Sequence, residues 1–189
     1  MVQSVELLLD QETESAVRTQ WLRLRESGEL HGGVPDPDRH RPHITLAVAD
    51  EVFPRIEKQL ARPGWFEPVT VRLGGLVVFP GRRSVLARLV VPSVELLELQ
   101  ERVFAMMRPC PGSASHTAPG TWTPHVTLAR RLFPDQVGGA VRVLERIRDR
   151  TGSGVAVRRW DGGAHTAWAV GDTTDPGPGS RDCGGPDSE

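Results

Sequence analysis

The chain has 189 residues, 38% of them hydrophobic, with 23 basic against 24 acidic side chains and a net charge of −1. That length suits one domain with enough interior to bury most apolar surface, and the balanced charge argues against a broad cationic face that coats a duplex, so a bound phosphate is expected to be held locally. No apolar run nears the roughly 20 residues of a membrane span, no secretory leader is evident, and the two cysteines, Cys110 and Cys183, make neither a disulfide framework nor a zinc site, so no membrane partner and a cytoplasmic location are expected.

Residues 5–9 form a short apolar run that predicts a buried strand. The spacing of Val17, Trp21 and Leu24 predicts a helix over about 13–25, stopped at Ser27-Gly28. A loop rich in Gly, Pro and Asp follows over 31–42, then a strand over 43–48. Pro54 suits the first position of a helix that carries Ile56 and Leu60 inward and ends before Pro63. Residues 69–79 read as a strand with a bulge or bend at Gly74-Gly75, and 84–91 as another.

The second half runs in the same order. Ser93 is a candidate N-cap for a helix over 93–107 that carries Leu96, Leu97, Val103 and Phe104. A Pro/Gly/Ser/Thr loop spans 109–124, a strand 125–129, a helix about 134–150, and two strands 154–160 and 165–170. Residues 173–189 hold 4 Gly and 3 Pro with almost nothing apolar and are expected to be a disordered tail.

A repeat is visible residue by residue. Pro42-His43-Ile44-Thr45-Leu46-Ala47 matches Pro124-His125-Val126-Thr127-Leu128-Ala129 at five of six positions, 82 residues apart, and each copy is followed by Phe-Pro. The separation from the end of the preceding strand, Leu9 to His43 and Val91 to His125, is 34 residues in both halves. The expected organisation is therefore one domain over 1–172, built from pseudo-repeats of about 1–82 and 83–172.

In a strand, residues two apart share a face. His43 and Thr45 point one way while Ile44 and Leu46 point into a core, and His125 and Thr127 do the same against Val126 and Leu128. Two such strands facing each other would gather two imidazoles and two hydroxyls in one groove. That set suits phosphodiester cleavage without metal: a neutral His takes a proton from water and a protonated one gives a proton to the leaving oxygen. The threonine hydroxyls can donate to nonbridging phosphate oxygens as charge shifts. Satisfied strand histidines with hydrogen-bonded threonines are the plainer reading, which the duplication disfavours.

With these motifs the sequence resembles the 2H phosphoesterase superfamily, named for its two His-x-Thr motifs, and its 2′-5′ RNA ligase-like (LigT-like) branch. The matching residues are His43-Ile44-Thr45-Leu46 and His125-Val126-Thr127-Leu128-Ala129-Arg130, together with Gly75-Leu76-Val77-Val78-Phe79-Pro80 followed by Arg82-Arg83. The resemblance covers about residues 4–172 and implies an α+β, duplicated, bilobal fold: two antiparallel sheets flanking a central groove, helices outside. It implies a metal-independent cyclic phosphodiesterase that hydrolyses 2′,3′-cyclic phosphates of RNA ends or small nucleotides, usually to 2′-phosphates, with reversible 2′-5′ RNA ligation in some members. No cofactor and no metal are implied, and a monomer is expected. Two other readings stay open: an enzyme for another cyclic or 2′-5′ phosphoester, and a non-catalytic RNA- or nucleotide-binding module.

On this reading His43 and His125 are the acid/base pair and Thr45 and Thr127 bind phosphate, while pseudo-symmetry leaves acid and base unassigned. The resemblance makes Arg130 a phosphate contact. Strand parity, however, puts it opposite His125 and Thr127 unless the strand bulges or ends there, and Arg131, in phase with the motif, is its rival. Arg39, Arg41, Arg82 and Arg83 are candidates for the rim, although 22 of the 23 basic residues are arginine, which weakens any single assignment. His40 reads as solvated loop. Trp122 and Phe79 are candidates to stack a base, with packing beneath the loop the plainer alternative. His31, His116 and His165 have no partner pattern, and His31, His40 and His43 lack the acidic or Cys neighbours of a metal site.

Overall fold

The apolar strands and amphipathic helices alternate as the pattern predicts, in the order β1 (Gln3–Leu9), α1 (Gln11–Glu26), β2 (His43–Ala49), α2 (Pro54–Leu60), β3 (Val69–Phe79), β4 (Ser84–Val90), α3 (Val94–Met107), β5 (His125–Leu132), α4 (Pro134–Val143), β6 (Arg150–Asp161) and β7 (Thr166–Val170). The coordinates are a computed structural model that describes residues 2–28, 30 and 33–170. The expected tail over 173–189, with Cys183, and also His31 lie outside the described residues. Among the described residues no helix is long and apolar enough to cross a membrane.

All strand pairs are antiparallel, and the hydrogen-bonded order is β2-β1-β6-β3-β4-β5, with β7 paired to β6. The two expected antiparallel sheets are present as the halves of one continuous sheet. The 12-residue β6 bridges both halves: its start, from Arg150 to Gly154, pairs with β3, and its remainder pairs with β1. One continuous strand thus joins two half-sheets, β2-β1-β6-β7 and β3-β4-β5. The sheet stays open, yet its two ends meet, since β2 lies against β5.

The helices cross between the halves. α1 packs on β5 and α3 on β2, so each motif strand is backed by the helix that precedes the other one. Val17, Trp21 and Leu24 of α1 and Leu96, Leu99, Val103 and Met107 of α3 are buried against Ile44, Leu46, Val126 and Leu128 of the motif strands. Leu97, expected inside, is exposed, and Leu99 takes that place.

Local chemistry explains the element ends. Asp10 caps α1: its carboxylate accepts from the Thr13 amide at 2.9 Å, from the Thr13 hydroxyl at 3.0 Å and from the Ser153 amide, which also ties the helix start to β6. Gly152 sits beside this cap with no room for a Cβ against Thr13 and Asp10. Ser93 caps α3 through the Leu96 amide at 3.2 Å. The Gly74-Gly75 bend is a register slip between Leu73 and Leu76, and the buried Arg88 of β4 fills it. Its guanidinium donates to the carbonyls of Gly74 (2.8 Å), Leu73 (2.9 Å) and Arg148 (3.0 Å).

α4 is shorter than the expected 134–150, and β6 begins at Arg150 instead of 154. Gly138-Gly139 weakens the helix from within. The Arg148 carbonyl is drawn to Arg88, and Arg150 must extend to pair with Leu73, so the chain leaves the helix after Val143.

Asp10→Ala removes the cap and the β6 tie together. It should destabilise the protein by about 1–2 kcal/mol at pH 7, read from urea unfolding. Although burial pushes the Asp10 carboxyl upward, the Ser153 and Thr13 hydrogen bonds outweigh it and hold it below the ordinary value. Its contribution is therefore present above about pH 4 and fades as pH falls through the lower native value, so wild type and variant should converge in acid.

Candidate active site

Each motif strand carries the same irregularity at the same place. In β2 the register to β1 slips past Leu46, pairing Glu6 with Thr45 and Val5 with Ala47. In β5 the register to β4 slips past Leu128, pairing Ala87 with Thr127 and Leu86 with Ala129. Two consecutive residues, Leu-Ala, are buried in both strands; in β2 the alternation then resumes one step out of phase, and in β5 Arg130 and Arg131 are both exposed. Simple parity therefore fails: the third residue after each threonine turns to the cleft face, which is Val48 in one strand and Arg130 in the other.

Of the expected residues, His43, Thr45, Thr127 and Arg130 line one cleft of about 720 Å³, with Arg131 also on its wall at a positive φ of 57°, whereas His125 is not among the residues lining it. His125 shares the cleft face with Thr127, and its ring lies against Phe79 with centroids 4.6 Å apart. The Arg130 amide donates to the Gly33 carbonyl at 2.7 Å, seating the 33–35 loop over the end of β5. At Gly33 an added Cβ would collide with the Arg130 carbonyl.

Both imidazoles are held in the same way. His43 Nδ1 lies 2.8 Å from the Arg41 carbonyl and His125 Nδ1 lies 2.7 Å from the Thr123 carbonyl, each two residues upstream. A carbonyl only accepts, so each Nδ1 carries the hydrogen and each neutral ring presents the lone pair of Nε2. Arg158 Nη2 approaches His43 Nδ1 at 3.3 Å, a contact between two donors rather than a hydrogen bond.

Around His43 the structure adds a cluster the motif does not contain. Glu6 and Ser4 of β1 and Arg158 of β6 line the same cleft. Glu6 Oε1 accepts from Ser4 Oγ at 2.8 Å and lies 3.4 Å from His43 Nε2, while Oε2 accepts from Arg158 Nε at 2.7 Å. Burial alone would raise the Glu6 carboxyl, but His43, Arg158 and the Ser4 hydroxyl outweigh it and hold it below the ordinary carboxylate range. Burial pushes His43 below the ordinary histidine value, helped by Arg158 and Arg130 and opposed by Glu6 and the Arg41 carbonyl. His125 is likewise lowered, first by burial and then by Arg130, His43 and His116, against the Thr123 carbonyl.

The remaining candidates divide. Arg39, His40 and Arg41 line the cleft, with Arg41 paired to Glu14 at 2.9 Å. Arg83 instead stacks on Phe133, 3.4 Å from the ring centroid. Trp122 packs against the core and donates its indole N–H to the Thr45 carbonyl at 2.9 Å, while Trp21 of α1 does the same for the Thr127 carbonyl at 2.9 Å. His165 sits at the turn before β7 with φ 54°, beside Trp160, and both reach the cleft. Among the described residues no group of three or more His, Cys, Asp or Glu is placed to hold a metal ion.

The sequence profile of the 2′-5′ RNA ligase superfamily matches residues 13–161. The chain belongs to this family of 2H phosphoesterases. No curated protein sequence matches it. Among solved structures it is similar to TT0787 of Thermus thermophilus, with a TM-score of 0.58, 20% identity, and coverage of 90% of this chain and 95% of that one. It is also similar to Usb1 of Kluyveromyces marxianus, with a TM-score of 0.54, 13% identity, and coverage of 89% and 97%. A structure of that Usb1 with uridine monophosphate gives a TM-score of 0.53 at 12% identity over 89% of this chain. At these identities the neighbours establish the α+β fold alone.

With both imidazoles held below their ordinary value, each should be neutral at pH 7 in this 2H phosphoesterase. ¹⁵N NMR of the histidine side chains should show Nδ1 protonated and Nε2 bare at both positions, and protonation only on acidification. A bare Nδ1 at either site would contradict the anchoring carbonyls.

Proposed function

We propose that this 2H phosphoesterase is a metal-independent cyclic phosphodiesterase, opening 2′,3′-cyclic phosphates of RNA ends or nucleotides to 2′-phosphates, with reversible 2′-5′ RNA ligation when an RNA 5′-hydroxyl takes the place of water as the nucleophile. The observation that carries the reading is the matched pair of imidazoles, each locked through Nδ1 so that Nε2 of His43 and of His125 is left for proton transfer. One Nε2 takes a proton from water as the water oxygen bonds phosphorus. The P–O3′ bond breaks, and the other Nε2 gives its proton to the departing oxygen. Thr45 and Thr127 donate to the nonbridging oxygens, where negative charge grows in the transition state.

Charge placement supports the same reading. On a chain of net charge −1, Arg39, Arg130, Arg131 and Arg158 gather at one cleft, a local anion site rather than a cationic coat. Arg130, turned inward by the bulge, is the guanidinium we assign to the phosphate. The uridine monophosphate held by the Usb1 neighbour supports a nucleotide-sized ligand here.

Purified protein should convert nucleoside 2′,3′-cyclic monophosphates or a short cyclic-ended RNA to 2′-phosphates in the presence of EDTA. His43→Ala and His125→Ala should each lose about 10²–10⁴-fold in rate, and Thr45→Ala or Thr127→Ala about 10²-fold. Activity abolished by chelator, or retained in both histidine variants, would sink the mechanism.

A further inference from the structure

Glu6 is a buried carboxylate, 3% exposed, to which the reaction above gives no task. A buried charge is unfavourable unless paired, and this one is paired at a particular place. Its Oε1 lies 3.4 Å from Nε2 of His43, the ring nitrogen left free once Nδ1 is committed to the Arg41 carbonyl. Ser4 Oγ at 2.8 Å and Arg158 Nε at 2.7 Å fix the carboxylate from the other sides.

Among the described residues, the matching position in the other half carries no carboxylate. The β1 residue opposite Thr45 is Glu6, whereas the β4 residue opposite Thr127 is Ala87. One strand further, Arg158 lies beside Glu6 while Val77 lies beside Ala87. The charged groups facing His43 are Glu6 from β1, Arg158 from β6 and Arg130 from β5, and the adjacent Arg41 guanidinium is taken up by Glu14. Those acting on His125 are Arg130, His116 and His43 itself.

We propose that Glu6, clamped by Ser4 and Arg158, is a positioning residue that favours the transferable proton on His43 over His125, making His43 the general acid and His125 the general base. The assignment rests on the cyclic phosphodiesterase reading. Water gives its proton to Nε2 of His125 as its oxygen bonds phosphorus. The bond from phosphorus to the ribose oxygen breaks, and that oxygen takes the proton from Nε2 of His43. Glu6 bonds to nothing in the substrate: it stabilises the imidazolium before transfer, and Arg158 balances its charge afterwards.

The test is Glu6→Gln, with Glu6→Asp as the milder second variant, each checked for an intact thermal unfolding transition. An opposite charge at this range typically moves a pKa by about 1–3 units. His43 should therefore titrate at least about one unit lower in Glu6→Gln by ¹⁵N NMR, with His125 nearly unmoved and Glu6→Asp in between. At pH 8, where the protonated acid is the scarce form, kcat/KM should fall about tenfold or more in Glu6→Gln, by the same factor as the NMR shift. If His43 were the base, the variant would keep its rate at pH 8 and gain rate in acid, which overturns the assignment. An unmoved His43 titration overturns the coupling. Wild-type protein that turns over no cyclic phosphate would refute the reaction and the acid role with it, while the NMR titration still decides whether Glu6 holds the proton on His43.

Discussion

β2 and β5 end the sheet, and their free edges hold the two threonines in place. An edge strand leaves main-chain groups without ladder partners, and buried ones must be satisfied elsewhere. Trp122 donates to the Thr45 carbonyl, Gln100 to the Leu46 carbonyl, and Trp21 to the Thr127 carbonyl. These donors stand at the two register slips, so they satisfy the carbonyls where the ladder is irregular. Trp21 belongs to α1 and Gln100 to α3, each reaching a motif strand of the opposite half. The crossed packing of helices and the geometry of the cleft are therefore one constraint.

The slips decide what enters the cleft. With regular pleating, the third residue after each threonine would face the core, where a guanidinium would need burial and pairing. The extra residue turns both third positions outward. In β5 this delivers Arg130 beside Thr127, and in β2 it delivers only Val48. The backbone is thus repeated more faithfully than the side chains. The fold supplies two equivalent platforms, and the residues on them differ.

Most of the fold was legible in the sequence because its signals are local. Alternation gave the strands, Ser93 and Pro54 the helix starts, and Gly74-Gly75 the bend. The His-Thr pairs were legible because they occur twice at one spacing. Arg130 was ambiguous because parity assumes a regular strand, although Leu46-Ala47 and Leu128-Ala129 already break the alternation in both copies. Glu6 was hidden inside a run read as apolar, yet Ser4 and Glu6 alternate with Val5 and Leu7 in the pattern that marks a polar face. Arg158 lies 115 residues from His43, and nothing near it in sequence points to the cleft. α4 was overextended because its end is set by the Arg88 hydrogen bond and the β3–β6 pairing, both of them tertiary.

The two walls that result are chemically unlike. On the β1–β6 side Ser4, Glu6, Arg158 and Trp160 share one face, since Ser4 pairs with Trp160 and Glu6 with Arg158. On the β3–β4 side the matching face carries Ala87, Val77, Val85 and Phe79. A buried Glu–Arg pair contributes little net stability, because desolvation offsets much of its attraction. Apolar residues like those opposite would pack the same space at lower cost. The pair is therefore better understood as setting the cleft's field than as holding the fold. A symmetric cleft would hold a ligand equally well in two orientations that exchange its two halves. One charged wall and one apolar wall remove that degeneracy, because the two sides of a bound ligand meet different surfaces.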